Sequence, residues 1–85
     1  MSEPKIHEVI LPRIDPDMEE GIISKWYIKE GEKVKKGEPL YALETEKVTY
    51  DVEAPVGGIL KKILVSEGTK VSVGTVVALI EEVEE

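Results

Sequence analysis

Moved along itself by 37 residues, this chain falls into register with its own second half. GIISKWYIKEGEKVKKGEPLYALE (21–44) lies over GILKKILVSEGTKVSVGTVVALIE (58–81) without a gap. Gly21/Gly58, Ile22/Ile59, Lys25/Lys62, Glu30/Glu67, Gly31/Gly68, Lys33/Lys70, Val34/Val71, Gly37/Gly74 and Glu44/Glu81 are identical. Most other positions exchange one apolar residue for another, as Trp26 for Ile63 and Ile28 for Val65. A repeat this short cannot bury an apolar face alone, so two copies must pack on each other. The economical arrangement is a pair of facing antiparallel sheets with quasi-two-fold symmetry.

The local pattern agrees with an all-β domain. Val, Ile, Thr, Tyr and Trp recur in short runs, and Gly or Pro interrupts every stretch before an i, i+3, i+4, i+7 apolar pattern can develop. In each half a strand (21–28 or 58–65) leads into E-G-x-K-V, where Gly31 or Gly68 gives a turn with positive φ, and a second turn follows at Gly37 or Gly74. Residues 40–46 and 48–54 are expected to be neighbouring strands. Val48, Tyr50, Val52 and Ala54 alternate with polar Thr49, Asp51 and Glu53, the mark of a half-buried strand. The only polar interruption between these strands is Thr45-Glu46-Lys47. A hairpin there would put Lys47 at its tip, although the Asn-Gly or Asp-Gly that tight hairpins favour is missing.

Composition narrows the chemistry. At 85 residues the chain makes one small domain, whose thin core is built from aliphatic residues because Phe is absent. There is no Cys and one His, His7, expected to be structural or exposed; Trp26 and the tyrosines are expected to pack or to lie at sheet edges. Disulfides, thiolate ligands and a cysteine nucleophile are excluded, and no catalytic dyad or His-based metal site can be assembled. The formal charge of −7 argues against a nucleic-acid partner. No apolar run approaches the ~20 residues that a membrane helix needs, and the first residues lack the apolar stretch of a signal peptide. A cytoplasmic protein is expected, or the mature form of one in the mitochondrial matrix. Any redox or acyl chemistry must use a group brought from outside.

E-T-E-K-V (44–48), preceded by E-G-E-K-V-K-K-G-E-P-L and followed by V-E-A-P-V-G-G-I-L, resembles the lipoyl domains of 2-oxo acid dehydrogenase complexes. Nearly the whole chain takes part. Residues 6–12 look like the first strand of that family, with Leu11-Pro12 where Met-Pro is usual, and Met18-Glu19-Glu20-Gly21 looks like its T-M-x-E-G segment. The family fold is a flattened barrel of two four-stranded antiparallel sheets with the acceptor lysine on a hairpin turn. The resemblance implies that residues 1–81 form one lipoyl-type domain, followed by an acidic tail or the start of a linker at 82–85.

By the same resemblance Lys47 receives lipoate in amide linkage, flanked for recognition by Glu44, Thr45, Glu46 and Val48. Glu46 replaces the Asp that commonly precedes the lysine, keeping the charge with one more methylene. The loop bearing Asp15, Asp17, Met18, Glu19 and Glu20 lies near the lysine in family members and is a candidate for partner recognition. The implied partners are a lipoate ligase or lipoyl transferase, a thiamin-diphosphate-dependent 2-oxo acid decarboxylase, an acyltransferase domain and a flavin-dependent dihydrolipoyl dehydrogenase. The domain itself is expected to be a non-catalytic monomeric carrier, part of an acyltransferase component, that accepts an acyl group on the dithiolane for the acyltransferase domain to pass to coenzyme A. A cysteine-free chain would thereby take part in thiol chemistry.

Two other readings start from the same residues. A biotin carrier shares the fold and the lysine-at-hairpin design, but its acceptor is typically flanked by Met, whereas Glu46 and Val48 flank Lys47. An unmodified β-sandwich interaction module would make Lys47 an ordinary surface charge. A glycine-cleavage carrier also bears lipoate but has added segments that this chain lacks.

Overall fold

The computed structural model describes residues 5–82, so residues 83–85 of the acidic tail lie outside the described residues. Eight strands make up the regular structure of the described residues: β1 (Lys5–Ile10), β2 (Glu20–Trp26), β3 (Lys33–Val34), β4 (Pro39–Glu44), β5 (Thr49–Glu53), β6 (Gly58–Ile63), β7 (Lys70–Ser72) and β8 (Val76–Glu82). They form two four-stranded antiparallel sheets, in the orders β1-β8-β6-β3 and β5-β4-β2-β7. The all-β, two-sheet architecture is the one expected. Glu82 pairs with Lys5, so the strand extends into the first residue assigned to the tail.

The repeat explains the topology. The 37-residue shift carries β2 onto β6, β3 onto β7 and β4 onto β8, and the two sheet orders then superimpose strand for strand. Each half places its short middle strand in the other half's sheet: β3 pairs with β6, and β7 pairs with β2. Neither half can therefore complete a sheet without the other. Equivalent positions fill the core between the sheets, with Ile23/Leu60, Leu40/Val77 and Leu43/Ile80 all buried. Where the second half has Ile63 and Ala78, the first has Trp26 and Tyr41, whose rings lie 4.9 Å apart in a tilted pair.

Gly31, Gly37, Gly68 and Gly74 all take positive φ, between 85° and 91°, as the turns require. Gly21 and Gly58 serve a different purpose, because they lie inside strands and mark close approach rather than a turn. A Cβ on Gly58 would run into the Glu81 carbonyl oxygen; one on Gly21 would lie 2.6 Å from Leu43 Cδ1 and 3.3 Å from the Glu44 carbonyl oxygen.

Two expectations need correction. The turn between β4 and β5 takes all of residues 45–48, so both strands are shorter than 40–46 and 48–54. The apolar alternation of β5 is also only half covered: Val52 and Ala54 are buried, but Val48 is 51% and Tyr50 48% exposed. Val48 lies in the turn itself and Tyr50 in the part of β5 nearest Lys47.

The symmetry fails at one loop. Between β1 and β2 run nine residues (11–19), against four (54–57) between the equivalent strands β5 and β6. The partner of the β4–β5 hairpin under the pseudo-symmetry is the open pair formed by the start of β1 and the end of β8, Lys5 with Glu82. This pair lies at the far end of the molecule from Lys47. Pro39, where β4 begins, adjoins residues 54–57 through the Gly37 and Ala54 hydrogen bonds, and Gly58 then pairs with Glu82.

Candidate functional site

The β4–β5 hairpin turns without glycine and without a residue of positive φ. Thr45 replaces the missing turn chemistry. Its backbone N–H donates to the Val48 carbonyl (2.9 Å), and its hydroxyl donates to the same carbonyl (2.9 Å). The hydroxyl oxygen also accepts from the backbone N–H of Val48 (3.1 Å) and of Lys47 (3.3 Å). One side chain thus closes the turn from inside, using the donor and both lone pairs of a hydroxyl. Besides flanking the lysine as a recognition candidate, Thr45 builds the turn. Threonine two residues before the apex is a recognisable signature of such a turn.

Lys47 stands at the tip with 64% of its side chain exposed. Its ammonium lies 3.3 Å from Asp15 Oδ2 and 4.0 Å from Asp17 Oδ2. The long β1–β2 loop therefore reaches the hairpin through Asp15 and Asp17. Internal contacts hold the loop in shape. The Arg13 guanidinium donates to the carbonyls of Met18 (2.8 Å) and Pro16 (3.3 Å), and Asp15 Oδ1 accepts from the Asp17 N–H (2.9 Å). Leu11 and Glu19 tie the loop's ends to residues 73–75. The Asp17 amide, then the Lys47 ammonium, hold the Asp15 carboxyl below the ordinary carboxylate range.

The other candidate residues divide by burial. Glu44, Glu46, Glu19 and Glu20 are exposed and line the groove beside the tip. Met18 is not: it is buried in the core, with its methyl group against the face of Gly21. It anchors the loop and is not available to a partner. Glu46 and Val48 point outward beside Lys47. Two residues were missed. Arg13, the clamp of the loop, has no repeat equivalent that would single it out. Lys70, paired with Glu20 at 3.5 Å, looked like the mere repeat of Lys33.

Loop and hairpin enclose an open groove of about 470 Å³, lined by Asp15, Met18, Gly21, Ile22, Thr45, Lys47 and Lys70 among others. What the site offers is one accessible primary amine on a fixed turn, with an open groove beside it. Room for a long substituent on Nζ is present on both the solvent and groove sides, so the residues fit a lysine-linked prosthetic arm.

A small β-barrel that presents a single lysine from a hairpin tip is the architecture of a prosthetic-group carrier. The comparisons agree. The biotin- and lipoyl-attachment family model, described as biotin-requiring enzyme, matches residues 7–80. The chain is similar to the solution structure of the lipoyl domain of the 2-oxoglutarate dehydrogenase complex from Azotobacter vinelandii, at 30% identity and a TM-score of 0.70, covering 88% of this chain and 96% of that one. It is 46% identical over 74 residues to the protein X component of the mitochondrial pyruvate dehydrogenase complex of Chaetomium thermophilum, covering 86% of this chain. It is 43% identical over 76 residues to the dihydrolipoyllysine-residue acetyltransferase component of the pyruvate dehydrogenase complex of Zymomonas mobilis, covering 88% of this chain. The chain spans 17% of the length of each of these two relatives. It belongs to the biotin- and lipoyl-attachment family and, within it, to the lipoyl domains.

Proposed function

We propose that Lys47 is the lipoyl attachment residue, and that the domain carries acyl groups and electrons between the components of a 2-oxo acid dehydrogenase complex. The observation that carries this reading is the place of Lys47: alone at the apex of the turn, well exposed, and held on a hairpin whose closure does not depend on its side chain. Attachment forms an amide bond between Nζ and the carboxyl carbon of lipoate. With an adenylate-activated donor, the carbon–oxygen bond to phosphate breaks, AMP leaves, and the ammonium gives up the protons that the amide nitrogen does not keep.

When bound, the group supplies a dithiolane at the end of a long flexible stem. The chain's own part is mechanical and electrostatic. Thr45 fixes the turn, and the two-sheet core keeps the tip rigid. The start of β1 and the end of β8 lie at the opposite end, so a chain continuing from either leaves the tip clear. Such tethering holds a carried intermediate at roughly millimolar effective concentration near each active site. No catalytic role for the domain's own side chains is part of this reading.

The partners that follow are a lipoate ligase or lipoyl transferase, a thiamin-diphosphate-dependent decarboxylase, an acyltransferase domain and a dihydrolipoyl dehydrogenase. The test is an intact mass of the chain after incubation with a lipoate ligase, lipoate and ATP, followed by peptide mapping. One lipoyl group is expected on the peptide containing Lys47, and none on Lys47→Ala. A folded chain that stays unmodified, or one that takes biotin from a biotin ligase instead, would overturn the assignment.

A further inference from the structure

The longer β1–β2 loop is the largest departure from the internal symmetry, and its construction converges on Lys47. Arg13 clamps it, Met18 anchors it in the core, and residues 73–75 hold its ends. The outcome is that two carboxylates of this loop, Asp15 and Asp17, face the same ammonium. The equivalent connection at 54–57 carries no acidic side chain.

We propose that Asp15 and Asp17 form a charge latch on Lys47 that modification opens, freeing both carboxylates to take a guanidinium or ammonium group of a docking protein. The inference rests on the reading of Lys47 as the modified residue. Acylation turns an ammonium with three N–H donors into a neutral amide with one. The formal charge of the chain, −7 before modification, becomes more negative by one. Around the groove, Asp15, Asp17, Glu19, Glu20, Glu44 and Glu46 then face Lys70 as the one cation left among its lining residues, and Lys70 is engaged by Glu20. Asp15 remains an anion after the change, because the first cause of its lowered pKa, the Asp17 N–H, does not depend on Lys47. Asp17 is 88% exposed, so a cationic side chain on another protein's surface can reach it. A partner carrying such a group would prefer the modified domain to the unmodified one. It would thereby avoid occupying carriers that have no arm.

The latch can be tested without knowing the partner, with a hexa-arginine peptide as probe. Its affinity is measured at low salt for the unmodified chain, the chain lipoylated on Lys47, and Lys47→Gln, which removes the charge without any modification. The same measurements are made with Asp15→Asn/Asp17→Asn added. Surface pairs of this kind set the scale, so lipoylation and Lys47→Gln should each tighten binding about two- to five-fold, with the difference fading as salt rises. That gain should vanish in the Asp15→Asn/Asp17→Asn background, and the carboxyl carbon of Asp15 should titrate at higher pH in both neutralised forms. Lys70→Gln removes an equal charge from the same groove and should leave the Asp15 titration in place.

The proposal is overturned if Lys47→Gln tightens binding equally with and without Asp15 and Asp17, or if Asp15 titrates identically in all forms. Should the ligase leave the chain unmodified while Lys47→Gln still frees Asp15, the latch stands and the carrier reading falls.

Discussion

The hydroxyl of Thr45 and the backbone of Val48 face each other across the hairpin as both donor and acceptor, 2.9 Å to the carbonyl and 3.1 Å from the N–H. This exchange, and not a glycine, shapes the apex that carries Lys47. Thr45→Val keeps the branched shape and removes the hydroxyl. It should cost about 1 kcal/mol, which lowers the melting temperature of a domain this size by about 4–8 °C. Thr45→Ser should retain most of the stability and support modification at near the wild-type rate, while Thr45→Val should be modified more slowly. Thermal melts and ligase kinetics check both; equal behaviour of the Ser and Val variants would mean that the hydroxyl does not set the turn.

Lys47 itself contributes little to the fold. Its ammonium is well exposed, its nearer partner Asp15 is partly exposed and Asp17 largely so, and pairs at such a surface are worth about 0–1 kcal/mol. Lys47→Ala should therefore melt within about 0.5 kcal/mol of the parent while losing modification altogether. A variant that failed to fold would show that the ion pairs to Asp15 and Asp17 hold the loop in place.

The repeat made the two-sheet fold legible, because identical glycines and matching apolar positions leave few ways to pair the halves. The site was legible only in part. Lys47 stood out as the apex of the one polar break between strands, but Thr45 hid its turn-making role behind a position that flanks the lysine. The approach of Asp15 to Lys47 depends on the path of a nine-residue loop, which no local pattern fixes. Met18 shows the opposite error. The resemblance puts it among the recognition candidates of the loop, while the space above Gly21 takes it into the core. The strand exchange of β3 and β7 was equally invisible, since two- and three-residue strands carry almost no periodic signal.

The equivalent glycines Gly21 and Gly58 should respond unequally to alanine. At Gly58 the new methyl meets the backbone carbonyl of Glu81, which belongs to a central strand and has nowhere to go. At Gly21 the nearest atoms are the ends of Leu43 (2.6 Å) and Met18 (3.2 Å), which can rotate away. Overpacking of this kind typically costs about 1–3 kcal/mol. Gly58→Ala should fall at or beyond the upper end and Gly21→Ala nearer the lower, as read by urea unfolding. Gly21→Ala should also disturb the loop above Met18 and weaken the contact between Asp15 and Lys47, visible as a higher Asp15 titration midpoint. The reverse order of stabilities would mean that Leu43 and Met18 are more rigidly held than the strand backbone.

Tyr41 presents a buried hydroxyl with no hydrogen-bond partner among the described residues. A group left so costs about 1–3 kcal/mol relative to a satisfied one, and burial pushes its pKa above the ordinary tyrosine range. Tyr41→Phe removes the oxygen, keeps the ring against Trp26, and should be neutral or stabilising by about 1 kcal/mol. The sign at high pH follows from proton binding. Above about pH 10 an unfolded tyrosine has lost its proton while the buried one retains it, so the folded state binds more protons and stability falls as pH rises. The loss approaches about 1.4 kcal/mol per pH unit for one such group. Tyr27, whose hydroxyl donates to Asp51 at 2.8 Å, is shifted in the same direction and would supply a part that survives in the variant. Unfolding followed by Trp26 fluorescence from pH 8 to 11 should therefore show a shallower alkaline decline in Tyr41→Phe than in the parent. If the variant is instead clearly less stable at neutral pH, the hydroxyl has a partner in solution, most simply a buried water.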